Sequence, residues 1–167
     1  MSDYGHNLLF GTFTTPIAKP ATHAVEMAVV ADRAGIDLVT FQDHPYQPTF
    51  HDTWTLLSYV ASRTKNVHVV GNVLNMPLRN PAVLARSAAS LDLLSGGRVE
   101  LGIGAGAFWD AIEAMGGPRY TAGQSIEALE ESIGRFQDEL AAVLDTLALA
   151  AAEMNRTAQA MDTAAGE

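Results

Sequence analysis

From Val67 to Gly106 the chain reads as strand, helix, strand and glycine loop, and this order confines it to a parallel α/β architecture. The apolar run Val67–Val73 predicts a buried strand that ends in a polar break. Asn80 stands where an N-cap is needed and Pro81 at the first helical position, so a helix is expected over Pro81–Leu94, stopped by Gly96-Gly97. Arg98–Ile103 predicts a second strand, closing in Gly104-Ala105-Gly106. Parallel strands joined by helices send their C-terminal ends to one side, where α/β proteins bind ligands.

The same alternation begins earlier. Residues 7–13 read as a first strand, followed by a loop with Pro16 and Pro20 as breakers and a helix over His23–Ala34 with Thr22 before it. Gly35 ends that helix, and Ile36–Phe41 is a short apolar strand, as expected of a sheet covered on both sides. Gln42–His51 is a loop, and Asp52 or Thr53 caps a helix running to Arg63. Four strands in the order 1-2-3-4 are expected, each followed by a helix, with right-handed crossovers.

The last third has a different character. Ile126, Leu129, Ile133, Phe136, Leu140, Val143, Leu147, Ala150 and Met154 recur at steps of three and four, the spacing of a heptad seam or of an ordinary amphipathic helix packed on the sheet. Gly134 is its weak point, at about 1 kcal/mol against Ala. Residues 1–167 are expected to form a single domain. Residues 1–121 are its partial barrel core, with a net charge of −2, and 122–167 are a long acidic C-terminal helix with a net of −7.

An overall charge of −9 argues against nucleic acid and anionic membrane surfaces as partners. The absence of cysteine excludes disulfides and thiolate metal sites. No metal-ligand spacing appears among His6, His23 and His68, and no nucleophile or Walker motif occurs. The start MSDYGHNLLF has no basic n-region or long apolar run, so the expectation is a cytoplasmic protein without a leader or membrane span. The run GIGAGA is not G-x-G-x-x-G, because Phe108 follows Ala107, which leaves a Rossmann fold as the second choice.

Four pieces carry a family resemblance: Leu8-Leu9-Phe10-Gly11-Thr12-Phe13, Phe41-Gln42-Asp43-His44-Pro45-Tyr46, Asn80-Pro81-Ala82-Val83-Leu84-Ala85, and the stretch from Leu94 to Gly106. In order and spacing the chain resembles the luciferase-like flavin monooxygenases, and among them the F420-dependent oxidoreductases, over roughly residues 7 to 130. The resemblance implies a TIM-type (β/α) barrel, which typically needs about 250 residues. At 167 residues the chain has room for about four units, so the expectation is a half-barrel with a long C-terminal helix, resembling the N-terminal half of a full-length member. The stretch Gly134–Leu140 resembles the family's closing helix, implying an internal segment lost near Ser132–Gly134.

The resemblance also implies roles for particular residues. His44, with Asp43 orienting it, lies beside a deazaflavin or FMN ring as acid or ring contact. A plain loop turn is the simpler alternative. Asn72-Val73 matches a bulge with a non-proline cis peptide that backs the ring. Gly104, Ala105 and Gly106 match the loop on the cofactor's phosphate side. Arg79 and Asn80 read as an exposed cation and a cap, and His51 and Asp52 as helix-capping residues. The expected function is a truncated F420- or FMN-dependent oxidoreductase or monooxygenase acting on a small molecule. The alternative is a half-barrel that binds or scaffolds without turnover. Either way two sheet edges are left open, which predicts a homodimer.

Overall fold

A computed structural model describes residues 8–165, with side chains to residue 161. Strand β1 (Gly11–Phe13) leads through helix α1 (His23–Arg33) to β2 (Leu38–Phe41) and α2 (Thr53–Arg63). Strand β3 (His68–Gly71) is followed by the two-residue β4 (Leu74–Asn75), a 3₁₀ turn and α3 (Pro81–Ser95). Strands β5 (Val99–Glu100) and β6 (Ile103–Gly104), a short α4 (Trp109–Ala114) and the 44-residue α5 (Ala122–Ala165) complete the chain. The main sheet has the order β1-β2-β3-β5 and is parallel throughout, as expected. The architecture is a partial (β/α) barrel.

Two strands are more broken than their sequences predicted. The run Val67–Val73 leaves the sheet after Gly71, turns through Asn72-Val73, and pairs again as β4 with β6. The run Arg98–Ile103 is divided at Leu101-Gly102 in the same way, so β4 and β6 form a small parallel sheet of their own. The expectation that β2 is covered on both faces is also corrected. Val39, Phe41 and Val69 are buried, whereas Leu38, Thr40, His68 and Val70, at alternate positions, are only half-buried. A parallel strand buries both faces only when layers lie on both, and here the helices α1 and α2 cover one.

The main core joins that face to the helices: Ala24, Val25, Ala28 and Ala31 from α1, Leu56, Leu57 and Val60 from α2, and Leu91 from α3. Fully burying a side chain such as Phe41 or Leu57 contributes about 1.5–3 kcal/mol. The helix ends follow their sequence signals. Asp52 Oδ1 accepts from Thr55 N at 2.8 Å, Asn80 Oδ1 accepts from Ala82 N at 3.0 Å, and Gly96 ends α3 at φ 75°. Thr22 makes no cap bond to backbone and donates instead to Glu26. Arg98 explains part of the Leu94–Gly106 piece. Its buried guanidinium donates to the carbonyls of Ala61, Val67 and Ser95, tying the end of α2 to the start of β5.

Helix α5 resolves the two readings of its seam in favour of packing within the chain. Leu129 and Phe136 pack on a second cluster of Leu74, Met76 and Leu84, and Phe136, Leu140, Leu144 and Leu147 face Ala88, Ala89, Val99 and Leu101 across a cavity of about 310 Å³. Ile126 does not join it and is 57% exposed, and from residue 144 to 161 every position is exposed. At about 1.5 Å per residue the 44-residue α5 is about 66 Å long. Among the described residues no helix is long and apolar enough to cross a membrane.

Candidate active site

The C-terminal ends of β2, β3 and β6 converge on one cavity of about 230 Å³. Asp43 and His44 reach it from the loop after β2, Asn72 and Val73 from the break after β3, and Gly104 and Gly106 from the end of β6. Six of the seven residues singled out in the sequence therefore share one wall. The seventh, Ala105, faces a separate cavity of about 170 Å³ beside Met76, Pro77 and Leu129. Gly106 has φ 88°, and a Cβ there would lie 2.9 Å from Pro77 Cγ, so the loop takes this path only with glycine.

The Asn72–Val73 peptide is cis, as the resemblance implied. It stands where the chain passes from the main sheet to β4, and Val73 is left 45% exposed at the cavity.

Asp43 and Arg79 are placed differently from expectation. Arg79 is no exposed cation. Its Nε and Nη2 donate to the two oxygens of Asp43, each at 2.7 Å, and Nη2 lies 3.5 Å from Asp52 Oδ2. Asp43 also accepts from the backbone N–H of Asn75 at 2.8 Å. Burial works against the Arg79 charge, but the bonds to Asp43 and the charges of Asp43 and Asp52 outweigh it and raise its pKa. Asp52 moves the other way. Its burial is outweighed by Thr55, which donates from backbone and hydroxyl, and by Arg79, so its pKa is lowered.

Asp43 is thus committed to Arg79 and β4, and it is Tyr46 that holds His44. The Tyr46 hydroxyl lies 2.7 Å from His44 Nδ1. The ring of His44 meets Tyr46 edge-on at 5.4 Å and Phe108 at 5.4 Å, and Tyr46 and Phe108 are 5.9 Å apart. Such aromatic pairs add about 0.5–1.5 kcal/mol each beyond the area they bury. Burial raises the Tyr46 pKa, the charge of Asp43 adds to this, and the nearby Asn75 side chain opposes both.

Asn75, Tyr46 and Phe108 line the cavity without having been assigned to it from sequence. Tyr46 lay inside the Phe41–Tyr46 piece, two residues from His44, and that proximity was the available signal. Asn75 is 5% exposed, and its Oδ1 has no partner among the described residues. A buried acceptor left open at a cavity wall suits a ligand carrying an N–H or O–H donor. That is the chemistry of a heteroaromatic ring edge, so these residues fit a flavin or deazaflavin.

A partial (β/α) barrel whose strand ends gather a histidine, a strand break and a glycine loop at one cavity has the frame of a ligand-binding (β/α) protein. Residues 3–163 match the family model described as luciferase-like monooxygenase, and the chain belongs to that family. An F420-dependent glucose-6-phosphate dehydrogenase of Amycolatopsis mediterranei is 41% identical over 99 residues, 55% of this chain and 29% of that protein. The oxygenating constituent of 3,6-diketocamphane monooxygenase from Pseudomonas putida, solved with FMN, superposes with a TM-score of 0.66 and 28% identity. That match covers 77% of this chain and 38% of the other. The coenzyme F420-dependent tetrahydromethanopterin reductase of Methanopyrus kandleri gives a TM-score of 0.58 and 27% identity, over 68% of this chain and 31% of the other. The chain spans between 29% and 38% of the length of these relatives.

Proposed function

We propose that this chain binds coenzyme F420 or FMN at the β2–β3–β6 cavity and serves a luciferase-like oxidoreductase acting on a small molecule. The observation that carries this is the convergence of His44, the Asn72–Val73 bulge and the Gly104–Gly106 loop at one set of strand ends. When bound, the cofactor supplies the hydride or oxygen chemistry, and the protein binds and orients it. His44 would contact the ring or deliver a proton, Val73 would back the ring, Asn75 Oδ1 would accept a hydrogen bond from it, and the loop of Gly104 and Gly106 would lie on the cofactor's phosphate side, with Ala105 turned to the neighbouring cavity. Asp43 has a supporting role, fixing β4 and the start of α3 through Arg79.

A second reading is favoured by the size of the cavity. About 230 Å³ is below the roughly 300–1,000 Å³ of a usual small-molecule site. We propose that further wall comes from a second copy, in a homodimer built by the sheet edges, by α5, or by both. Leu8, Leu9, Phe10 and Phe13 are exposed on and before the edge strand β1, and such an edge invites pairing. A half-barrel that dimerises and binds without turnover is the limiting form of this reading.

Titration of purified protein with FMN and with F420, followed by absorbance and fluorescence, separates the readings. Binding that weakens at least tenfold in His44→Ala, with unchanged unfolding, supports the cofactor site. No binding of either compound overturns it.

A further inference from the structure

The cofactor reading leaves open which nitrogen of His44 carries its proton, and the surroundings of the ring decide it. Nδ1 faces the Tyr46 hydroxyl at 2.7 Å, whereas no described protein group bonds Nε2. A neutral imidazole has one donor nitrogen and one acceptor nitrogen, and the partner of one sets the state of the other. If Nδ1 carried the hydrogen, it would donate to the Tyr46 oxygen, and the hydroxyl hydrogen would need another acceptor. Asn75 Oδ1, on the wall of the same cavity, has no partner among the described residues and so does not take that hydrogen. The hydroxyl hydrogen is placed in the other arrangement, in which Tyr46 donates to Nδ1.

We infer that Tyr46 is a positioning residue that locks neutral His44 in its Nε2–H tautomer and so offers an N–H donor at the strand-end cavity. The packing fits that task. Phe108 meets the imidazole edge-on at 74°, Tyr46 meets it at 63°, and the two rings restrict rotation of the histidine. A ligand facing His44 is then met by a hydrogen-bond donor from the histidine and an acceptor from Asn75. A donor and an acceptor together suit a ring that presents a carbonyl and an N–H, such as a cyclic amide. The inference rests on the site proposed above, but its test needs no cofactor.

Nitrogen-15 NMR of the five histidines, recorded at about pH 8.5, well above the ordinary histidine pKa of about 6.5, reads the tautomer directly. The His44 signals are assigned by their loss in His44→Gln. The expected result is a single neutral form protonated at Nε2. In Tyr46→Phe, which removes one oxygen from a half-buried ring, the two nitrogens should move toward the averaged shifts of mixed tautomers. A His44 protonated at Nδ1 in the unaltered protein overturns the inference, and so does an unchanged Nε2–H form in Tyr46→Phe. The wild-type measurement stands even if that variant misfolds. Failure to bind FMN or F420 would count against the proposed cofactor and leave the tautomer result intact.

Discussion

Arg79 clasps Asp43 side-on, Nε to Oδ2 and Nη2 to Oδ1, both at 2.7 Å, on a carboxylate whose side chain is 1% exposed. The pair joins the loop after β2 to the start of α3, and the Asn75 N–H on the same carboxylate adds β4. One ion pair therefore fixes three segments, two of which, the loop after β2 and β4, line the cavity.

Removing one partner of such a pair leaves the other charge buried, which costs about 3–5 kcal/mol. Arg79→Ala should lower the stability in urea by about that amount. Arg79→Lys should lose less, because an ammonium keeps the charge but not the two-pronged bond. An Arg79→Ala transition at the wild-type midpoint would remove this role.

Asp32 predicts an acid limit to stability. Burial acts to raise its pKa, but the backbone N–H groups of Val67, Asn66 and Lys65, at 2.8, 2.8 and 3.0 Å, and the charge of Arg98 outweigh it and lower it. A carboxylate depressed in the folded state stabilises fully above its ordinary value near 3.8, and that contribution is lost as pH falls through the folded value. Asp52 acts with the same sign. Asp32→Ala should cost about 1–3 kcal/mol at pH 7 and flatten the decline below pH 4. Urea titrations at pH 7 and pH 3 check both, and parallel pH curves for the two proteins would contradict the assignment.

Two glycines should respond in opposite directions to alanine. A Cβ at Gly102 would lie 2.4 Å from the backbone oxygen of Gly71, where β3 meets the β5–β6 break, so Gly102→Ala should destabilise by about 1–3 kcal/mol. Gly134 lies inside α5 with open space around it, so Gly134→Ala should stabilise by up to about 1 kcal/mol. Thermal melts of the two variants measure the contrast.

The assembly is tested by light scattering. The proposed homodimer has twice the 17.7 kDa of one chain, and a mass of one chain across micromolar concentrations would rule it out. A chain ending at Leu149 should keep its stability in urea within about 0.5 kcal/mol, because positions 150–161 are all exposed. If that shorter chain is a monomer, the end of α5 holds the dimer; if it remains a dimer, the sheet edges or the retained part of α5 do.

The local parts of the fold were legible because their signals are local. Asn80 before Pro81 and Gly96 after Ser95 bound α3, since caps satisfy the backbone groups of their own helix. Strand breaks were not legible. Nothing within Val67–Val73 says that the chain leaves one sheet at Gly71 and enters another at Leu74, because the β4–β6 pairing depends on residues 29 positions away. Similarly, the three-and-four spacing of α5 shows an apolar face but not what covers it, and the structure supplies α3 for the first half only.

By itself the sequence determined the parallel strand–helix order, the helix ends, the family, and the placing of Asp43, His44, Asn72, Val73, Gly104 and Gly106 at strand ends. Periodicity, capping chemistry and chain order carry the strand–helix order and the helix ends, and the resemblance of the four motif pieces carries the family and the site residues. Only the tertiary structure decided the partners: Arg79 on Asp43, Tyr46 and Phe108 on His44, the open acceptor of Asn75, and Ala105 turned to a different cavity. A hydrogen bond depends on angles and separations of a few tenths of an ångström between side chains far apart in sequence. Residue types state which bonds are possible, and folding selects which are made.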